Sequence, residues 1–146
     1  MSKISSIGVV GAGQMGAGIA QVSALNGFNT VLWDVNPQAT EKAINSIGGF
    51  LTKMVEKEKI SAADKAAALA RLSGTKDLAG FKGCDLAIEA ATENFDIKQK
   101  IFRELDATIP SSGYLASNTS SISITKIAAC TKRPERVMGM HFMNPV

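Results

Sequence analysis

Near the start of this chain a glycine-rich turn separates an apolar run from a helix, and an acid closes the next apolar run. Residues 7 to 20 read Ile-Gly-Val-Val-Gly-Ala-Gly-Gln-Met-Gly-Ala-Gly-Ile-Ala, and residues 31 to 34 read Val-Leu-Trp-Asp. Gly11 and Gly13 leave out side chains where a tight turn must bring main chain against a pyrophosphate, and Gly16 lets the following helix pack closely on the strand. The N–H groups at that helix start, around Gln14 and Met15, face the phosphates. Asp34 stands 23 residues beyond Gly11, where a carboxylate accepts both hydroxyls of an adenosine ribose. It would repel a 2′-phosphate. No arginine lies near it and Lys42 is the closest downstream cation, so NAD is expected rather than NADP. Glycines alone are weak support, because methyltransferases also pair a glycine loop with a distal acid. Here the preceding strand, the following helix and the acid at its distance are three separate conditions, all met.

At 146 residues and 45% hydrophobic content, the chain can bury one full core and reads as a single domain. Its formal charge of +3 comes from 16 basic and 13 acidic residues without a basic stripe, which argues against a nucleic-acid partner. Cys84 and Cys130 have neither CxxC spacing nor a neighbouring histidine, so no metal site or disulfide framework is expected and a reducing cytoplasm is the plain inference. No apolar run approaches bilayer length, so no membrane partner is expected either.

Strand and helix patterns alternate throughout. Ile4 to Val10 and Asn29 to Trp33 read as strands buried on both faces, with a crossover helix from Met15 to Asn26 between them, ended by Gly27. Asn36-Pro37 starts a helix to about Lys59, and Ser61 to Asp64 is a capping-box start for a second helix to about Leu72. This helical pair is an insertion after the second strand. A short strand around 72–75, a strand over 85–90, an amphipathic helix over 94–108, a strand over 114–117, a helix over 121–130 and a strand over 136–140 complete the pass. The fold expected is α/β, a Rossmann-type doubly wound parallel sheet, with ligands beyond the carboxyl ends of its strands.

Three polar clusters fall at those ends: residues 89–94, 117–121 and 141–144. His141 is the only histidine, so any imidazole proton transfer must be its work, and its ordinary pKa suits that near neutrality. Plainer readings exist for each residue. His141 could be a buried, hydrogen-bonded ring, the Ser-Asn-Thr-Ser-Ser segment a turn capping the next helix, Glu93 a first-turn carboxylate favoured by the helix dipole, and Lys98 a solvated face residue.

With these clusters in view, the sequence resembles the NAD-binding domain of the 3-hydroxyacyl-CoA dehydrogenases, most closely their bacterial 3-hydroxybutyryl-CoA members. The resemblance spans essentially the whole chain. It is carried by the glycine motif at 11–20, Asp34, Asp-Leu-Ala-Ile-Glu-Ala-Ala-Thr-Glu-Asn at 85–94, Ser-Asn-Thr-Ser-Ser at 117–121 and Gly-Met-His-Phe-Met-Asn-Pro-Val at 139–146. It implies that a short-chain (S)-3-hydroxyacyl-CoA is oxidised to the 3-ketoacyl-CoA, with His141 as catalytic base. Ser120 would hydrogen-bond the reacting oxygen, Asn144 would hold substrate and nicotinamide, Glu93 and Lys98 would contact the cofactor, and Lys57 would approach the coenzyme A moiety.

The resemblance also implies a glutamate shortly after the Asn-Pro segment, which orients the histidine, and an all-helical domain supplying dimer contacts and part of the acyl site. Both are expected beyond Val146, with a homo-oligomer as the full-length form. Residues 1–146 are therefore expected to bind NAD with little or no turnover, and to self-associate through the apolar surface that such a domain covers. Two alternatives stand beside this reading. One is a non-catalytic, crystallin-like NAD-binding module, against which the joint presence of His141, Ser120 and Asn144 argues. The other is a dehydrogenase for a free hydroxy acid, against which the Ser-Asn-Thr-Ser-Ser segment argues.

Overall fold

The computed structural model describes residues 3–146. Six parallel strands form one sheet: β1 (Ser6–Val10), β2 (Asn29–Trp33), β3 (Leu72–Gly74), β4 (Leu86–Glu89), β5 (Tyr114–Ser117) and β6 (Val137–Gly139). Their order across the sheet is β3-β2-β1-β4-β5-β6, as expected of a doubly wound sheet. The chain winds outward from β1 to β3, then returns to place β4 on the other side of β1. That reversal opens a crevice at the carboxyl ends of β1 and β4.

Alternation along the strands sorts side chains onto two faces. Ile7, Val9, Leu32, Leu86, Ile88 and Ala116 join one core cluster, packed under α1 (Gln14–Leu25), α2 (Pro37–Glu56) and α3 (Ala62–Arg71). Val10, Ala87 and Leu115 join the other with Phe81, Phe102, Leu105 and Ile127, which come from the 3-10 turn Leu78–Phe81, α4 (Phe95–Thr108) and α5 (Ile124–Ala128). Both faces are covered, which is why the strands carry apolar residues at successive positions.

The helix starts follow their local chemistry. Asn36 accepts from the Gln38 N–H with Pro37 in the first helical position, Ser61 and Asp64 form a reciprocal capping box, and Asn94 accepts from the Ile97 N–H. Three elements differ from expectation. The expected helix over 121–130 is only α5, because Thr119 Oγ1 accepts the N–H groups of Ser121 (3.3 Å) and Ile122 (3.0 Å) and holds them in the preceding loop. Residues 134–136 form a 3-10 turn, so β6 begins one residue late. The turn Leu78–Phe81, capped by Asp77 onto the Ala79 N–H, has too little periodicity to be seen in sequence.

Candidate functional site

Gly11 leaves β1 with φ +102°, and a Cβ there would sit 2.7 Å from the Ala90 carbonyl oxygen at the end of β4. Only glycine accepts both conditions. A Cβ on Gly16 would collide with the Gly11 carbonyl, so α1 approaches the turn as closely as it does because that side chain is missing. Gly13 is different. It caps α1 with φ −73° and no side-chain bond to the helix, and nothing lies within 4 Å of where its Cβ would be. The helix would prefer serine or aspartate at this position, and the fold has room for either. A side chain there would fill the space in front of the first N–H groups of α1, and a helix start left open in this way suits an anion.

Asp34 ends β2 half-buried, and both its oxygens have partners. Oδ2 accepts from the Ala12 N–H at 2.8 Å and Oδ1 from the Asn36 N–H at 2.9 Å. The carboxylate is thus held in place beside the glycine turn, with lone pairs left for further donors. Next to it opens a cleft of about 450 Å³ lined by Gly11, Asp34, Val35, Ala91, Ile97 and Ile101. Val35 is 84% exposed and Ile97 48% exposed. Two large apolar side chains thus line a cleft that also holds a carboxylate, a surface of the kind that suits a flat aromatic ring carrying polar groups. Ile97 lines this opening from α4.

Glu93 and Lys98 turn to the protein itself. Lys98 is 1% exposed, which corrects the reading of it as a solvated face residue. Its Nζ lies 2.5 Å from Glu89 Oε1 and 3.5 Å from Ser117 Oγ. Ser117 donates to the same Glu89 oxygen at 2.8 Å, and Glu89 Oε2 accepts from the Ala91 N–H at 2.8 Å. This cluster joins the ends of β4 and β5 to α4, and an isolated lysine in a helix carries no sequence sign of such a partner. Glu93 Oε2 accepts from Thr119 Oγ1 at 2.8 Å and from Ser121 Oγ at 2.7 Å. Burial alone would raise this carboxyl, but the two hydroxyls, the Lys98 charge and the Ser120 main chain hold it below its ordinary value. The loop bearing Ser120 is therefore gripped on both sides of that residue, whose own side chain stays exposed.

His141 follows β6 and is exposed. Asn144, three residues on, accepts from Gln14 Nε2 through its Oδ1 at 3.3 Å. That bond draws the 141–146 segment over the start of α1. A groove of about 340 Å³ runs from there, lined by Gln14, Ser46, Phe50, Asn144 and Val146. Ser46, Phe50, Lys53 and Lys57 are spaced to fall on one stripe of α2, and Lys57, exposed at its C-cap, ends that stripe. Among the described residues no group of three or more histidines, cysteines and acids could hold a metal, and no helix is long and apolar enough to cross a membrane.

The family model for the 3-hydroxyacyl-CoA dehydrogenase NAD-binding domain matches residues 6–146. The chain belongs to this family. It is 48% identical over 98% of its length to a 3-hydroxybutyryl-CoA dehydrogenase of Bradyrhizobium diazoefficiens, covering 49% of that protein. To the 3-hydroxyadipyl-CoA dehydrogenase of Escherichia coli it is 41% identical over 99% of its length, covering 30% of that relative. Among solved structures, (S)-3-hydroxybutyryl-CoA dehydrogenase from Ralstonia eutropha superposes with a TM-score of 0.95 at 48% identity, over 99% of this chain and 51% of that one. The chain thus spans about half the length of several of the curated relatives it matches, and less of others. It is an NAD-binding domain with a Rossmann fold, and Gly13 with the free start of α1 fits that cofactor.

Proposed function

We propose that this domain carries the cofactor half of an oxidoreductase interconverting a short (S)-3-hydroxyacyl-CoA and its 3-ketoacyl-CoA, with His141 moving the proton. The observation that carries this reading is the Gln14–Asn144 bond, which sets the histidine segment beside the glycine turn, so that proton transfer and cofactor binding share one edge of the sheet. NAD, when bound, supplies a hydride acceptor. Gly11, Gly13 and the main chain of Gln14 and Met15 would hold its pyrophosphate, with Gly16 letting α1 approach the turn; Asp34 would hold its adenosine ribose, and Glu93, Ser120 and Asn144 would border its nicotinamide end. Lys98 acts from beneath, by holding Glu89 and Ser117 in place.

His141 takes the proton from the 3-hydroxyl while Ser120 donates a hydrogen bond to the same oxygen, stabilising charge that develops there. In reverse the imidazolium returns the proton. The groove along α2 takes the acyl-CoA, with Lys57 near its phosphates. Within the described residues no carboxylate bonds the imidazole, so its tautomer and positive charge lack the support that in comparable sites is worth about four orders of magnitude in rate. Residues 1–146 by themselves should therefore bind NADH and turn over little.

Two measurements test this. In a fluorescence titration with NADH, Asp34→Ala should weaken binding at least about tenfold, the effect of losing charged hydrogen bonds to two hydroxyls. Unchanged affinity would remove Asp34 from the site. In acetoacetyl-CoA reduction by the protein carrying the relatives' second half, His141→Ala should lose most of the rate, and an undiminished rate would take His141 out of the chemistry.

A further inference from the structure

His141 lies just where the sheet ends, and something other than the sheet must fix it. β5 and β6 pair with Ser117 opposite Gly139, and the last main-chain rung between them runs from the Met140 N–H to the Ser117 carbonyl at 2.9 Å. In a regular parallel ladder the Thr119 N–H would next bond the Met140 carbonyl, and the next rung donated from the β6 side would join the Phe142 N–H to the Thr119 carbonyl; the Thr119 N–H instead donates to Ser117 Oγ at 3.3 Å. At Thr119, however, the chain has already turned into the loop gripped by Glu93. A side chain makes the rung instead, with the Phe142 N–H donating to Asn118 Oδ1 at 2.7 Å.

Asn118 is itself anchored, its N–H donating to the Glu89 carbonyl at 2.8 Å. On either side of His141, Met140 and Phe142 are half-buried and pack against the core cluster beneath α1, while His141 between them is exposed. This is strand alternation continued one step past the last backbone pair. The asparagine extends the ladder over the one residue that needs a fixed direction.

We infer that Asn118 is a positioning residue: its amide oxygen stands in for a backbone carbonyl and holds the His141 main chain at a set distance from the Ser120 loop, two residues along from Asn118 itself. The inference rests on the proposed role of His141, yet it concerns geometry and is tested without turnover. Since the chain has a single histidine, the imidazole signals in an NMR spectrum need no assignment.

In Asn118→Ala, amide exchange at Phe142 should accelerate tenfold or more while that at Met138 and Met140 changes less than twofold. The His141 ring signals should shift or broaden, with NADH affinity within about threefold of the unaltered chain. Asn118→Asp keeps an oxygen at the same place and should restore protection at Phe142. If Asn118→Ala does not fold, the aspartate variant decides alone, with protection retained at Phe142 supporting the brace. Protection and ring signals unchanged in the alanine variant, or protection lost in the aspartate variant, would overturn it, as would equal acceleration across all of β5 and β6. A chain that passes these tests and still fails to reduce acetoacetyl-CoA when joined to the relatives' second half would speak against the oxidoreductase reading alone.

Discussion

Gly11, Gly13 and Gly16 look equivalent in the motif and are not equivalent in the molecule. Two of them are required by the fold, through a positive φ at Gly11 and a blocked Cβ at Gly16, while a Cβ on the third would meet nothing within 4 Å. Gly16→Ala should therefore destabilise the domain by about 1–3 kcal/mol, because backbone must move to admit the methyl group. Gly13→Asp should leave stability within about 0.5 kcal/mol, aspartate being a better N-cap than glycine, yet weaken NADH by two orders of magnitude or so by placing a carboxylate against the pyrophosphate. Urea unfolding and NADH titration of the two variants separate these effects. A Gly13→Asp domain that binds NADH normally would show that the open face of the turn is not where the phosphates lie. Lys98 provides the second contrast at this scale. Removing one member of a buried pair leaves the other uncompensated, at about 3–5 kcal/mol, so Lys98→Met should cost far more than the surface lysine that its sequence context advertises. Adding Glu89→Gln to it should recover part of the loss in the same unfolding assay.

Element boundaries were set where a side chain answers an orphaned main-chain group. Ser61 and Asp64 bond each other's backbone at the start of α3, and the pattern that predicts this is visible in four residues. Ser61→Ala should cost about 1 kcal/mol by denaturant unfolding, and no loss would mean that tertiary packing alone holds α3. The start of α5 falls later than its sequence predicts for the opposite reason. Ser121 and Ser123 are both acceptable caps, but Thr119 and Glu93 take hold of the chain at 119–122, leaving Ser123 to cap α5 by accepting from the Lys126 N–H. The choice between two serines was made by a glutamate 28 residues from the first of them. Arg133 does similar work at the other end of α4, donating to the Asp106, Ile109 and Pro110 carbonyls and to the Asp106 carboxylate.

Across the whole molecule, two carboxylates tie strand ends together from opposite edges of the sheet. At the amino edge, Asp85 Oδ2 accepts from the Ser5 and Ser6 N–H groups at 2.8 and 3.0 Å and from both serine hydroxyls. Its pKa is lowered from 3.8, chiefly by the Ser5 main-chain bond. Glu93, at the carboxyl edge, is lowered from 4.5 despite the opposing effect of burial. A carboxyl whose folded pKa is depressed contributes stability that is complete above its unfolded value and is lost as pH falls through the folded one. Stability should accordingly be level near neutrality and decline below about pH 4.5. The decline should be shallower in Asp85→Asn, and urea midpoints across that range would show it. Identical pH profiles for the two proteins would free Asp85 of this role.

What the residues declare by themselves is what local chemistry can enforce: strands from runs of apolar residues, helix starts from capping side chains, the glycine turn from its spacing, and from these a doubly wound parallel sheet with ligands expected at the carboxyl ends of its strands. The segments at 117–121 and 139–146 added, through the family resemblance, which side chains to expect there. Tertiary structure alone decided that Lys98 lies inside against Glu89, that Glu93 grips the Ser120 loop and that Asn118 completes the sheet beside His141. Each of these is a hydrogen bond between residues 9 to 28 apart in the chain. Such a pair leaves no periodic trace in sequence, because its geometry exists only after the strands that carry it have been laid side by side.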